Sequence, residues 1–156
     1  LSEQEVHPQF LPDKFESGTP NICGLAGLRA GVEWIRQRGV GSIREHEQNL
    51  TEKLIHGLLE IPGIVIPGPR KAAERTGVVS FGIAGKDPAE IGLKLDEEWG
   101  ILSRVGLHCA PAAHKTLGPF PNGLVRLSLG AFTTKEDIDY ATMAVSNIAK
   151  DAGRLE

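Results

Sequence analysis

Glycine and proline set the strongest limit on what this chain can fold into. The 19 glycines and 10 prolines fall between short periodic segments. Gly and Pro punctuate regular structure, so the chain must be many short elements with tight connections. No apolar run approaches the length of a membrane-spanning helix. The clearest alternation is Val78 to Ile83, with Val79, Phe81 and Ile83 on one face and Val78, Ser80 and Gly82 on the other. Val125 to Leu129 repeats the pattern, turning Val125, Leu127 and Leu129 inward and Arg126 and Ser128 the other way.

Helical spacing fills the stretches between. A helix is expected from Asn21, with Ile22, Leu25, Leu28, Val32 and Ile35 at three- and four-residue intervals and a stop at Gly39 and Gly41. Ser42 with Glu45 reads as a capping box for a second helix, striped by Ile43, Leu50, Leu54 and Leu58 and stopped at Pro62-Gly63. A strand at Ile64–Ile66 and a basic loop from Pro67 to Thr76 follow. Asp87-Pro88-Ala89-Glu90 starts a third helix that ends at Gly100. Ile101 to Arg104 is a short strand. The stretch 105–122, with three prolines, reads as irregular. Thr134 caps a last helix carrying Ile138, Ala141, Val145 and Ile148.

This order predicts an α+β fold, a small, mostly antiparallel sheet packed with helices. Residues 1–20 read as an extended lead-in ending in the turn Ser17-Gly18-Thr19-Pro20. Residues 21–150 form the small domain with its connecting N-terminal helix, and 151–156 form a tail.

Charge excludes some partners. With 17 basic and 20 acidic residues the net charge is −3, and nothing favours nucleic acid. Two cysteines, Cys23 and Cys109, make no disulfide framework, and the first residues form no secretory leader, so a cytoplasmic location is expected. Cys23 reads as packing within the first helix.

Cys109 admits two readings. It is either a small buried hydrophobe or a loop nucleophile, for which Arg104 and His108 are the nearby cationic groups in sequence. Zinc held by His108, Cys109 and His114 matches no usual ligand spacing, and no metal is expected. Arg126 is either solvated or a fork for a substrate carboxylate. Gly18-Thr19 before a helix is either a plain turn or a phosphate contact. Lys115, beside His114, reads as a surface lysine.

Five segments in order resemble the class V aminotransferase fold family, in particular its cysteine desulfurases and selenocysteine lyases. They are Phe15 to Asn21, Val79-Ser80-Phe81 with Gly85 to Pro88, Arg104 to Pro111, Val125 to Leu129, and Thr133 to Asp139. The resemblance implies that the chain is the C-terminal part, with the small domain, of a pyridoxal 5'-phosphate-dependent transferase of fold type I. The cofactor would be held mainly by a large domain that this chain lacks, and the chain alone would be inactive. Cys109 matches the family's persulfide-carrying nucleophile and Arg126 its carboxylate-binding arginine. Arg104 and His108 match positions near the substrate. Gly18 and Thr19 match the segment that reaches the cofactor phosphate of a neighbouring subunit, which implies a homodimer. The implied substrate is L-cysteine or a related amino acid, with a sulfur-acceptor protein as a further partner. An aminotransferase or selenocysteine lyase of other specificity, or a stand-alone sulfur carrier, are the alternatives. Leu107 departs from the histidine that many relatives carry there, and the loop after Pro111 is longer than in the sulfur-mobilising scaffold enzymes.

Overall fold

The helix expected from Asn21 forms. In a computed structural model of the protein, describing residues 8–16 and 18–151, α1 spans Ile22–Arg38. The Asn21 side chain caps it by accepting from the Gly24 N–H at 2.9 Å. Gly39, at φ 84°, stops it in a backbone region that L side chains avoid. The lead-in is a turn over part of its length and not extended throughout. The Lys14 N–H donates to the Phe10 carbonyl and the Glu16 N–H to that of Pro12. Pro12 presets the φ that a turn corner needs. Residues 1–7, Ser17 and 152–156 lie outside the described residues, so much of the lead-in, the first residue of its expected closing turn and most of the tail are not described.

The chain divides into two compact units after Val40. In the first, α1 buries none of its residues, and its stripe of Ile22, Leu25, Leu28, Val32 and Ile35 is exposed. Cys23 is exposed as well, which corrects the packing expected of it; helical spacing alone does not supply a surface to pack against.

The second unit carries nearly all of α2 (Val40–Leu59), then β1 (Ile64–Val65), β2 (Val78–Ile83), α3 (Pro88–Glu97), β3 (Arg104–Gly106), α4 (Pro111–Leu117), β4 (Leu124–Ser128) and α5 (Lys135–Lys150). A 3₁₀ turn, Ala72–Glu74, interrupts the basic loop. The sheet order is β1-β2-β4-β3, antiparallel at each pairing, as an α+β fold requires. The last strand therefore sits between β2 and β3, with α3 making the crossover that leaves room for it.

Alternation decides the core. Val79, Phe81, Ile83, Val125 and Leu127 bury one sheet face against Leu50, Leu54 and Leu58 of α2, Ile91 and Leu95 of α3, and Ile138, Val145 and Ile148 of α5. Asp87 caps α3, with Pro88 in its first turn. Thr134 and Asp137 form a reciprocal capping box on α5. No helix among the described residues is long and apolar enough to cross a membrane.

Three local expectations fail. Ser42 and Glu45 make no capping box, because the left-handed Gly39 sets the break earlier and α2 already runs at Val40. The third strand lies at Arg104–Gly106 instead of Ile101–Arg104, because Arg104, Val105 and Gly106 find ladder partners in Arg126, Val125 and Leu124. Residues 105–122 are not wholly irregular, since they contain α4. Pro111 sits in the first turn of that helix, where no N–H is needed, and Gly118 ends it at φ 98°. The turn back into β4 needs Gly123 (φ 82°), where a Cβ would meet the Gly106 backbone at 2.2 Å.

Candidate active site

The sheet face turned away from the core carries polar residues at matched register. Ser80 on β2 pairs with Arg126 on β4, and Arg126 pairs in turn with Arg104 on β3. Cross-strand partners share a face, so the three side chains form a row. Two arginines directly opposite each other repel. The arrangement suits an anion. The Arg126 Nε is buried and has no hydrogen-bond partner among the described residues.

β3 delivers the chain into a tight turn at His108 and Cys109, both left-handed at φ 52° and 59°. Non-glycine residues rarely adopt that region, and two in succession need support. The support is visible. The Ala110 N–H donates to the Leu107 carbonyl at 2.9 Å. The His108 Nε2–H donates to the Arg104 carbonyl at 3.1 Å. The turn leaves Cys109 exposed, with a guanidinium N–H of Arg104 donating to its Sγ at 3.5 Å.

Burial holds the His108 imidazole below its ordinary pKa. The positive Arg126 and Arg104 and the neighbouring His114 act in the same direction, and the bond to the Arg104 carbonyl opposes them. A histidine so held is neutral at pH 7. With its proton on Nε2, its Nδ1 carries the lone pair.

Cys109, Arg104, His108 and Arg126 thus gather at one end of the sheet. Gly18 and Thr19 lie in the other unit, on the exposed stretch before α1. Lys115 is exposed, its ammonium 4.9 Å from the Phe120 ring centroid. Sequence reasoning set His114 aside, yet it is buried, with Nδ1 3.0 Å from the Ala110 carbonyl and its ring edge-on to His108 at 5.6 Å. The signal that could have found it is the four-residue interval from Ala110, which acquires meaning only once 111–117 is recognised as helical. Among the described residues no three His, Cys, Asp or Glu side chains group closely enough to hold a metal ion.

Comparison with known proteins places the chain as a whole among related sequences and folds. The chain is 38% identical over 135 residues to a probable cysteine desulfurase of Staphylococcus epidermidis, which covers 86% of the chain and 32% of that protein. It superposes on the apo cysteine desulfurase of Thermococcus onnurineus NA1 with a TM-score of 0.80 and 36% identity, covering 89% of this chain and 34% of that one. The cysteine desulfurase CsdA of Escherichia coli, in its S-sulfonic acid form, gives a TM-score of 0.74 at 29% identity over 87% of this chain and 32% of its own. The chain therefore spans about a third of the length of the curated relatives it matches. The family model described as aminotransferase class-V matches residues 1–141, and the chain belongs to that family.

Proposed function

We propose that this chain is the C-terminal part of a cysteine desulfurase, in which Cys109 takes the sulfur of L-cysteine as a persulfide and L-alanine is released. One observation carries the reading. The Cys109 turn holds an exposed thiol against Arg104, beside Arg126 on the same sheet face, whose buried Nε has no partner among the described residues.

Arg126 binds the substrate carboxylate through its planar fork, and the row it shares with Arg104 supplies the positive field for that anion. Cys109, as thiolate, attacks the sulfur of bound L-cysteine. A sulfur–sulfur bond forms and the carbon–sulfur bond breaks. The bonding pair leaves with the carbon, which takes up a proton and becomes the methyl group of alanine. Cys109 is left as the persulfide. Arg104, donating to Sγ, steadies the negative charge on that sulfur. His108, neutral beside two arginines, adds no further positive charge to the wall of the site.

Pyridoxal 5'-phosphate, when bound, supplies the electron sink that weakens the substrate's bonds. This chain's fit to it is limited to a phosphate contact. Thr19 offers an exposed hydroxyl, and a Cβ placed on Gly18 would meet nothing within 4 Å, so a phosphate has room to approach. The reading assigns Thr19 to the cofactor phosphate of a neighbouring subunit, which makes the intact enzyme a homodimer. It also assigns a cytoplasmic location and a protein that accepts the persulfide sulfur.

Alanine release from L-cysteine by the intact enzyme tests this, with Cys109→Ala beside it. Loss of the nucleophile should lower turnover about a thousandfold or more. The 156-residue chain alone should release none. Equal alanine from enzyme and variant would remove Cys109 from the reaction and sink the desulfurase reading.

A further inference from the structure

His114 is the one ionisable side chain among the buried polar residues described, at 6% exposure. Its Nδ1 lies 3.0 Å from the Ala110 carbonyl, and a carbonyl oxygen only accepts, so the ring proton sits on Nδ1. The lone pair of the neutral ring is therefore at Nε2, which is buried without a partner among the described residues. An apolar side chain would fill this space without leaving a buried acceptor unmet. The histidine does more here than fill space: its Nδ1 bonds the Ala110 carbonyl.

The carbonyl it holds belongs to the residue that follows Cys109. We infer that His114 is a positioning residue for Cys109, fixing the far end of the left-handed turn and, through His108, the near end. The near end is held by His108 Nε2, which donates to the Arg104 carbonyl. The far end is held by His114 Nδ1 on Ala110. The two imidazoles meet edge to face, 5.6 Å apart at 70°, so His114 touches both restraints. Ala110 itself, at φ −128° and ψ 55°, is not yet helical, and no side-chain cap supports the start of α4. The backbone N–H of His114 donates to that same carbonyl at 3.2 Å, and the ring Nδ1–H adds a second, side-chain bond that ties the end of the turn to the helix. Between the two restraints, His108 and Cys109 occupy a backbone region that L residues leave when unsupported. Release of either end lets the sulfur move away from the Arg104 guanidinium.

The meaning of this contact for catalysis rests on the desulfurase reading, but the geometry belongs to this chain and is tested without substrate. Two described cysteines are exposed, so Cys23 is an internal reference for Cys109. The readout is the ratio of their iodoacetamide alkylation rates, followed by mass spectrometry on the full 156-residue chain. Arg104→Gln should change that ratio about threefold, the low end of coupling between touching groups. In a His114→Leu background the same change should have no effect. His114→Asn places an amide N–H where Nδ1 stands and should restore the Arg104 effect. His114→Gln places its amide where Nε2 stands and should not. If His114→Leu does not fold, the Asn and Gln variants decide the matter. The inference is overturned if Arg104→Gln leaves the ratio unchanged in the parent chain. It is equally overturned if the effect survives in the Leu or Gln variant, or is missing in the Asn variant. None of these results depends on alanine release. An intact enzyme that makes no alanine, with the coupling present, would sink the desulfurase reading alone.

Discussion

Phe81 and Ser80 are neighbours in β2 and meet opposite surroundings. Phe81 is fully buried, opposite Val125 and under three helices. Ser80 is half-buried, opposite Arg126, in a row that continues to Arg104. One pleated strand serves both faces because successive side chains point to opposite sides. The packed face is apolar throughout and tolerates no orphaned charge. The other face carries two facing arginines, an exposed thiol and a buried histidine nitrogen without a partner among the described residues. The first arrangement holds the domain together. The second leaves the Arg126 Nε–H without a partner among the described residues, which costs local stability.

The largest effect should come from the packed face. Phe81→Ala removes a fully buried ring and should lower unfolding stability by about 3–5 kcal/mol, measured by urea titration. That is a large share of the roughly 5–15 kcal/mol a domain has in total. Below the unfolding transition, the alkylation rate of Cys109 should stay as in the parent chain. A loss under about 1 kcal/mol would mean the two faces share the load more evenly than alternation implies.

A smaller effect of the opposite kind is expected on the polar face. Arg126→Gln removes a charged fork but no core contact. Urea stability should move by less than about 0.5 kcal/mol. In the intact enzyme, KM for L-cysteine should rise roughly 10- to 100-fold, the worth of about 1.5–3 kcal/mol for hydrogen bonds to a charged group. A stability loss as large as that of Phe81→Ala would show that Arg126 is structural.

The same contrast sets what could be seen in the sequence. Alternation in β2 and β4 was legible, since it needs only a period of two; Val79, Phe81 and Ile83 faced inward and Arg126 outward as expected. The caps at Asp87 and Thr134 were legible because each acts within three residues. Ser42 and Glu45 carried an equally good local pattern, but Gly39 had already set the helix boundary. The prolines around α4 read as breakers, although Pro111 stands where a helix tolerates one and Pro119 follows the stop at Gly118. The juxtaposition of Arg104 with Arg126 depends on strand register across 22 residues of chain, and no local pattern encodes it. His114 was hidden for the same reason. Its partners are the residue just before a helix that was not expected and a ring held in a strained turn.

The smallest effect is a pH dependence that separates the faces by protonation alone. Burial keeps the folded-state pKa of His108 below the ordinary imidazole value, with Arg126, His114 and Arg104 adding to the shift. The unfolded chain therefore binds a proton near pH 6.5 that the folded chain refuses. Where the unfolded state binds more protons, stability rises with pH. The contribution of His108 is complete above about pH 6.5 and is lost as pH falls from there through the lower folded-state value. Urea midpoints at about pH 7.5 and about pH 5 should fall further apart in the parent chain than in His108→Gln, which cannot titrate. The packed face has no ionisable group to contribute to this difference. An equal drop in both proteins would place the acid sensitivity elsewhere, and His108 would then be no more than a neutral donor to the Arg104 carbonyl.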